Sequence, residues 1–283
     1  MLPKLGYHAY TLFLFTYSDY KTIFVPVGIF ALAAAPTAST SRIIIAVTWL
    51  WLQQLQTNVT NQYLGVEEDA VNKPWRPIPS GRISRSQAIT LRWILPGLCT
   101  IGSGLIRRAL LEASVAFAFA TLAYNEMDLS HHWLGKNVCC GLGYMILEAG
   151  TTLALGDGRV LADDATRAIA VSGLVIASTI QVQDFPDIQG DMLRGRRTLP
   201  IVLPQASCVV TSIILAVWSL ALGFIWNLNA IVYLAFSACG LWTAYRTFKG
   251  GDTVYRKTTY RIYNIWLMFL HILPIMSRLG SHS

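Results

Sequence analysis

The sequence predicts an all-α fold, a multi-span transmembrane bundle of about nine helices. Of its 283 residues, 54% are hydrophobic and only 13% are charged, so the chain is too apolar for an ordinary soluble domain of this length. Apolar runs recur from end to end, at residues 22–35, 43–59, 88–105, 109–123, 138–155, 165–182, 206–226, 228–245 and 262–276. Several are shorter than the ~20 residues that cross a bilayer, so we expect the helices to extend into flanking polar residues.

The nearly unbroken series of runs predicts one integral membrane domain that comprises residues 1–283. The opening residues, MLPKLGYHAYTLFLF, lack a basic region followed by a small-residue cleavage site, so we expect the first apolar segment to stay in the mature protein. The five cysteines lie in or beside apolar runs without CxxC spacing. This placement indicates packing residues and neither disulfides nor zinc ligands.

The net charge of +7 suggests a nucleic-acid partner, but the basic residues are sorted by membrane side. Of the 22 Lys and Arg residues, sixteen lie in the N-terminus and the loops after the even-numbered runs, with the adjoining helix ends, and six lie on the opposite side. By the positive-inside rule, this asymmetry places the N-terminus and the even loops in the cytoplasm. We therefore expect an integral membrane protein whose residues 61–81, which carry candidate site residues, face the cytosol, and the expected membrane is that of the endoplasmic reticulum. The expected partner of the protein is the lipid bilayer, with no nucleic acid and no obligate protein partner.

The first acidic motif, residues 61–81 (NQYLGVEEDAVNKPWRPIPSG), follows the second apolar run. If the helix continues past Asn61, then Asn61, Gly65 and Asp69 lie along one face, with Glu68 beside them. Gly65 removes a side chain between two oxygen-bearing ones, which lets a bulky anion approach the backbone. The prolines that follow end the helix and stiffen a loop that can cover the site as a lid.

The second acidic motif, residues 184–200 (DFPDIQGDMLRGRRTLP), lies at the end of the sixth run. Asp184, Asp187 and Asp191 have a DxxDxxxD spacing, which puts all three on one face of a helix. A single acidic residue at this position is most often a solvated cap where the span leaves the membrane. Three carboxylates on one stripe repel each other, so the arrangement costs free energy unless cations lie among them.

Basic residues follow both motifs: Lys73 and Arg76 the first, and Arg194, Arg196 and Arg197 the second. Carboxylate and amide oxygens suit Mg²⁺, a hard cation that keeps several waters and shares a phosphate ligand, better than they suit Zn²⁺. Arg and Lys side chains suit the oxygens of the same phosphate. The two motifs together therefore predict a metal-bridged diphosphate site.

In these residues the chain resembles the UbiA superfamily of intramembrane prenyltransferases and their relatives, over essentially its whole length. The family pattern is NDxxDxxxD with a KPxRP-like segment after the second span, then DxxDxxxD with a Gly and a TLP-like segment after the sixth. The matching residues are Asn61, Asp69, Lys73, Pro74, Arg76 and Pro77, then Asp184, Asp187, Asp191, Gly195, Thr198, Leu199 and Pro200. The resemblance implies a bundle around a central cavity open to the lipid, where Mg²⁺ and an isoprenoid diphosphate bind between the motifs.

The resemblance and the residue chemistry together give a set of expected site residues. The expected Mg²⁺ ligands are Asn61, Glu68, Asp69, Asp184, Asp187 and Asp191. Whether Glu68 or Asp69 is the main ligand stays open. The expected diphosphate-binding residues are Lys73, Arg76, Lys136, Arg196 and Arg197. Lys136, in the loop before the fifth run, resembles the diphosphate-binding lysine of the family.

The chain departs from the family pattern at Gln62 and Gly65, which stand where two aspartates are usual. This form, with NKPWRPIPSG after it and YNE at 124–126, is most similar to the fungal membrane-bound terpene cyclases of the superfamily. It implies a cyclase that ionises farnesyl or geranylgeranyl diphosphate, cyclises the carbocation and releases diphosphate.

Two alternatives remain. A prenyltransferase that moves the isoprenyl group onto an aromatic or other acceptor uses the same metal site, and a non-enzymatic transporter is more remote because the charges gather at one membrane face. The sequence singles out no aromatic residue as cation-stabilising. It leaves substrate chain length, product skeleton and oligomeric state open.

Overall fold

The computed structural model describes residues 2–35, 39–156 and 160–280. Within these residues the chain consists of α-helices joined by short 3₁₀ and π turns and loops, without a β-strand, which confirms the all-α class. The α-helices are α1 Leu2–Thr16, α2 Val25–Ala34, α3 Thr40–Leu64, α4 Val66–Asn72, α5 Arg85–Ile106, α6 Arg108–Asn125, α7 Trp133–Leu155, α8 Asp163–Thr179, α9 Asp184–Leu193, α10 Leu199–Val202, α11 Ala206–Ile225, α12 Ala230–Lys249 and α13 Thr253–Gly280.

The nine predicted apolar runs each coincide with a helical segment. The first run lies on α2 and the turn before it, and the others lie on α3, α5, α6, α7, α8, α11, α12 and α13. Helices extend beyond their runs, as expected, since α3 continues to Leu64 and α13 begins at Thr253. Four of the described helical segments are long and apolar enough to cross a membrane: Arg85–Ile106, Trp133–Leu155, Asp163–Leu193 and Ala206–Ile225.

Helix α3 is long enough to cross a membrane but is not among these four segments, and its buried amides explain its lower hydropathy. Its buried residues include the amides Gln53, Gln54, Gln56, Asn58 and Gln62. Gln53 Nε2 donates to Ser114 Oγ at 2.6 Å, and Gln62 Nε2 donates to the Phe15 carbonyl at 2.7 Å. Gln54 and Asn58 likewise donate to carbonyls of α1. Because these buried amides bond to neighbouring helices, they lower the hydropathy of α3 without facing lipid.

The outer surface of the bundle is apolar, as is its interior. The main core includes the fully buried side chains of Phe30, Leu50, Phe236, Tyr263 and Trp266. On the outside, Leu105, Phe224 and Ile231 are 84%, 78% and 81% exposed. A large apolar surface around a packed core is a liability in water but suits a protein embedded in lipid.

Two helix breaks position the candidate site. Between α1 and α2, a 3₁₀ turn at Tyr17–Asp19 is followed by a π turn at Tyr20–Phe24. Between α8 and α9, a 3₁₀ turn at Ile180–Gln183 precedes the second acidic motif. All three aspartates of that motif then lie on α9, as predicted.

The helical register of the first motif is kept across a pause at Gly65. Helix α3 ends at Leu64 and α4 begins at Val66. The Gly65 N–H nevertheless donates to the Asn61 carbonyl at 3.0 Å, and the Asp69 N–H donates to the Gly65 carbonyl at 2.9 Å. These i to i−4 bonds keep Asn61, Gly65 and Asp69 on one stripe.

Candidate active site

Both acidic motifs line a polar chamber of about 190 Å³. The first motif contributes Asn61, Gln62, Gly65, Glu68, Asp69, Lys73 and Arg76, and the second contributes Asp187, Asp191, Arg194 and Arg196. The remaining wall residues are Asp19, Asn58, Tyr124, Lys136 and Gln183. Of the site residues predicted from the sequence, Asp184 and Arg197 are not on this wall.

Asp69 is bound by an arginine of its own motif. Arg76 Nη1 lies 2.8 Å from both carboxylate oxygens of Asp69, and Arg76 Nη2 donates to Ser18 Oγ at 3.1 Å. Burial raises the pKa of the Asp69 carboxyl, while the Arg76 guanidinium opposes this by favouring the ionised form. The pair joins α4 to the loop that follows it.

Glu68 is paired with an arginine from the second motif. Arg194 Nη1 donates to Glu68 Oε2 at 3.3 Å. The guanidinium lies against Gly65, where an added Cβ would be 3.2 Å from Arg194 Nη1 and 3.1 Å from the Asn61 carbonyl oxygen. The absence of a side chain at Gly65 therefore makes room for the cation that links the two motifs. The expected approach of an anion to the Gly65 backbone stays a prediction.

Lys136 lies between two aspartates of the second motif. Its Nζ donates to Asp184 Oδ1 at 2.5 Å and lies 3.6 Å from Asp191 Oδ2. Arg196 Nη1 donates to Asp191 Oδ1 at 3.0 Å. Lys136, Asp184 and Asp191 are all buried, and buried charges persist only when they are paired. Asp184 therefore contacts the wall residue Lys136 without lining the chamber itself.

Three other predicted residues are placed differently. Asp187 and Lys73 line the chamber, and within the described part of the chain neither forms an ion pair. Arg197 is exposed, and its backbone pairs with the loop before α7: its N–H donates to the His131 carbonyl at 2.6 Å, and its carbonyl accepts from the Trp133 N–H at 3.0 Å. Arg197 thus ties the second motif to the segment that carries Lys136.

The oxygen atoms of the chamber fit a hard divalent cation in their chemistry. No group of three or more His, Cys, Asp or Glu side chains among the described residues is already arranged to hold a metal ion. The carboxylates of Glu68, Asp69 and Asp191 are instead paired with arginines. On the chamber wall, the buried acceptors Asn61 Oδ1, Gln62 Oε1 and Asp191 Oδ2 have no hydrogen-bond partner in the described part of the chain, and neither has Asp184 Oδ2 behind Lys136. Leaving such atoms unpaired costs about 1–3 kcal/mol each, and amide and carboxylate oxygens are the ligands that Mg²⁺ prefers.

A second, mainly apolar chamber of about 220 Å³ adjoins the polar one. The two chambers share the wall residues Asp19, Asn58, Asn61, Tyr124 and Gln183. Beyond them, the apolar chamber is lined by Ile23, Phe117, Ala120, Tyr144, Leu147, Ile180 and Tyr260, among others. The arrangement suits an elongated molecule with a charged head and an apolar body.

Four of the wall residues shared by the chambers are not among those predicted from the sequence. Two of them have a local signal: Asn58 precedes Asn61 by three positions, on the same face of α3, and Gln183 directly precedes the second motif. Tyr124 belongs to the YNE segment. Asp19 has no signal in the sequence, because the break between α1 and α2 brings it to the chamber.

Residues 22–273 match the UbiA prenyltransferase family. The chain is 33% identical over 272 residues to the fumagillin β-trans-bergamotene synthase of Aspergillus fumigatus, covering 95% of this chain and 93% of the relative. It is 31% identical over 260 residues to a diterpene cyclase of Hericium erinaceus, covering 88% and 82%. It is also 29% identical over 289 residues to a polyprenyl transferase of the same fungus, covering 95% and 94%.

The fold is similar to that of solved structures with low sequence identity. One is a UbiA homologue from Archaeoglobus fulgidus bound to GPP and Mg²⁺, with a TM-score of 0.65 and 12% identity. The superposition covers 93% of this chain and 98% of the homologue. At that identity the likeness shows the fold alone.

Proposed function

The chain belongs to the UbiA prenyltransferase family, and from this premise we propose that it is a magnesium-dependent terpene cyclase. It would ionise farnesyl or geranylgeranyl diphosphate and cyclise the resulting carbocation. The observation that carries the proposal is the junction of the chambers, where a polar space walled by both acidic motifs adjoins an apolar one. Adjacent spaces of these two kinds accommodate the diphosphate and the isoprenyl chain of one substrate.

We assign binding of the diphosphate to the cations of the polar chamber: Lys73, Arg76, Lys136, Arg194 and Arg196. Fixed positive charges in a site that excludes water stabilise the negative charge that develops on the leaving diphosphate as the C–O bond breaks. The carboxylates of Asp69, Glu68 and Asp191 hold three of these cations in place before a substrate binds. Arg197 is left out because its side chain is exposed and lines neither chamber.

The oxygen atoms that would hold Mg²⁺ are those of Asn61, Glu68, Asp69, Asp184, Asp187 and Asp191. When bound, Mg²⁺ neutralises charge on the diphosphate and so makes it a better leaving group. The presence of GPP and Mg²⁺ in a structural neighbour supports this assignment by analogy of fold. Gln62 and Gly65 shape the motif, since one bonds to Phe15 and the other makes room for Arg194.

The apolar chamber serves the second half of the reaction. Its walls keep water from the allylic cation and determine which double bond the cation meets. The ring faces of aromatic wall residues stabilise a desolvated cation by up to about 2 kcal/mol each. The aromatic residues on this wall are Phe117, Tyr124, Tyr144 and Tyr260.

Cyclisation is favoured over transfer by the two relatives that are named as a synthase and a cyclase. A prenyltransferase is the second candidate, because a polyprenyl transferase aligns with 95% of the chain. Both reactions use the same chambers. We further propose that residues 1–283 act as one integral membrane domain, with the polar chamber on the cytosolic side of the endoplasmic reticulum membrane, since the Lys and Arg residues gather on that side.

The test supplies membranes that contain the protein with Mg²⁺ and either farnesyl or geranylgeranyl diphosphate alone. We expect a cyclic hydrocarbon or alcohol, detected by gas chromatography with mass detection, and no product after chelation of the metal by EDTA. A product that forms only when an aromatic acceptor is added would overturn the cyclase assignment in favour of a transferase.

A variant pair separates an enzyme from a transporter. In detergent, where no membrane gradient exists, the protein should release diphosphate in a Mg²⁺-dependent manner, and Asp187→Ala should lose this activity. The matched control is Asp164→Ala, since Asp164 is exposed at the start of α8 and lines neither chamber. Full turnover in Asp187→Ala would count against the assigned site, and no release by any variant would favour a transporter.

A further inference from the structure

Asp19 reaches the site through an irregular segment of the chain. It ends the 3₁₀ turn that follows α1, and the π turn at Tyr20–Phe24 comes directly after it. Its carbonyl accepts a bond from Thr22 Oγ1 at 3.3 Å, which holds the turn. Single π turns are frequent at functional sites because they redirect side chains that a regular helix would place elsewhere.

The Asp19 side chain lies on the walls of both chambers. Among the residues that line the apolar chamber, it is the one carboxylate in the described part of the chain. The carboxylates of Asp69, Asp184 and Asp191 each have an Arg or Lys nitrogen within 3.0 Å. Asp19 has no such contact among the described residues, and its ionised form is favoured by Arg76, by Lys73 and by the neighbouring Asn58 side chain.

We propose that the Asp19 carboxylate stabilises the cation at the junction of the chambers and accepts the proton that the reaction releases. This rests on the proposed function. Departure of the diphosphate leaves the cation where the polar chamber meets the apolar one, beside Asp19. A C–H bond next to the cationic carbon of the cyclised product then breaks, its electron pair forms a C=C bond, and the proton passes to a carboxylate oxygen of Asp19.

Other wall groups are poorer acceptors. Tyr144 already donates its hydroxyl proton to the Thr22 carbonyl, and the thiols of Cys139 and Cys140 are weak acceptors. Asp187 and Asp191 line only the polar chamber. The released diphosphate is the rival base, and it makes a different prediction because it does not depend on Asp19.

The first arm of the test measures binding without turnover. The probe is a farnesyl chain that carries a protonated tertiary amine in place of the cationic carbon, added with inorganic diphosphate and Mg²⁺ and compared with its uncharged isostere. We expect the protein to prefer the ammonium probe about tenfold, and Asp19→Asn to lose that preference. Binding of a non-reacting farnesyl thiolodiphosphate should change less than about twofold, which shows that the variant is folded.

The second arm measures turnover and product. Asp19→Asn should lower turnover by about 10²- to 10⁴-fold, the range for loss of a general base, with partial recovery in Asp19→Glu. Asp164→Asn is the matched control. If Asp19→Asn keeps the ammonium preference and the product pattern, the proposal is wrong and the diphosphate is the base. If the ammonium preference depends on Asp19 but no terpene product forms, Asp19 does bind a cation at the junction of the chambers. In that case the proposed function, and not the cation-binding role of Asp19, is overturned.

Discussion

Two regions of the bundle bury ionisable side chains, and they differ in whether these side chains line one of the two chambers. The two acidic motifs surround a polar chamber of about 190 Å³. Elsewhere, Glu148 of α7, Ser172 of α8 and His271 of α13 form a cluster that lines neither chamber. Ser172 Oγ donates to Glu148 Oε1 at 2.6 Å, and His271 Nε2 lies 3.0 Å from the same oxygen. All three side chains are buried.

This difference indicates that a buried charge in a lipid-facing bundle is not in itself a binding site. Intramembrane charges are usually paired, as Glu148 is with His271 and as most carboxylates around the polar chamber are with Arg or Lys. The Glu148 cluster joins three helices and lines neither chamber. The polar chamber adds space, and it also adds groups such as Asp187 and Lys73 that line this space without an ion pair among the described residues. Substitutions in the two regions should therefore separate effects on turnover from effects on stability.

The largest effect is expected from Lys136→Met, because this change leaves Asp184 and Asp191 without the cation they share. Removing one partner of a buried ion pair costs about 3–5 kcal/mol of stability, and loss of a charge that stabilises the leaving group costs about 10²- to 10³-fold in turnover. Diphosphate release per mole of folded protein and chemical unfolding in detergent measure the two effects. The exposed Lys257→Met is the control, and wild-type turnover in Lys136→Met would remove Lys136 from the site.

The second largest effect is expected from Glu148→Gln, and it should be on stability alone. The amide keeps the shape of Glu148 but alters its bonds to Ser172 and His271, so we expect the free energy of unfolding to fall by about 1–3 kcal/mol. Turnover per folded molecule and product pattern should stay within about twofold of the wild type. A changed product pattern would contradict the division between the two regions, since it would connect this cluster to the reaction.

A smaller effect is expected from Arg76→Lys. The lysine keeps the charge but loses the planar fork that contacts both Asp69 oxygens and Ser18, so turnover should fall about tenfold. The matched control is Arg85→Lys, because Arg85 contacts Glu67 at 2.8 Å in a pair whose side chains are 56% and 72% exposed. Exposed ion pairs contribute about 0–1 kcal/mol to stability, and Arg85 lines neither chamber, so the control should resemble the wild type in turnover. Equal losses of turnover in the two variants would argue against a special role for the planar guanidinium of Arg76.

Much of the fold follows from the sequence because it rests on local patterns. Long apolar runs predict the helices, and the spacing of Asp184, Asp187 and Asp191 predicts one face of α9. The helix ends are less predictable, since hydrogen bonds to other helices stabilise the polar residues that extend α3. The motifs also account for most of the polar chamber, because their residues are close in sequence and on two helix ends.

The rest of the site depends on tertiary contacts that no spacing records. Asp19 belongs to no motif and reaches the chambers through a helix break. Arg194 was expected among the cations after the second motif, but its contact with Glu68 over Gly65 requires two distant segments to meet. The buried contact between Glu148 and His271 likewise joins helices that are far apart in the chain. Charge pairing across the bundle is therefore the part of the structure that the sequence predicts least.

The smallest effect is expected from Gly65→Ala, which tests why this glycine lacks a side chain. The backbone at Gly65 has φ −108°, which alanine adopts freely, so the only cost is the contact of the new Cβ with Arg194 and the Asn61 carbonyl at 3.1–3.2 Å. Arg194 is flexible and can shift by a few tenths of an ångström, which should loosen its bond to Glu68. Turnover should fall about two- to fivefold, which corresponds to a rise of under about 1 kcal/mol in the activation free energy. Gly97→Ala is the control, because nothing lies within 4 Å of a Cβ at Gly97. A loss of a hundredfold or more would instead indicate that the substrate diphosphate contacts the Gly65 backbone, because a rearranged arginine alone does not account for such a loss.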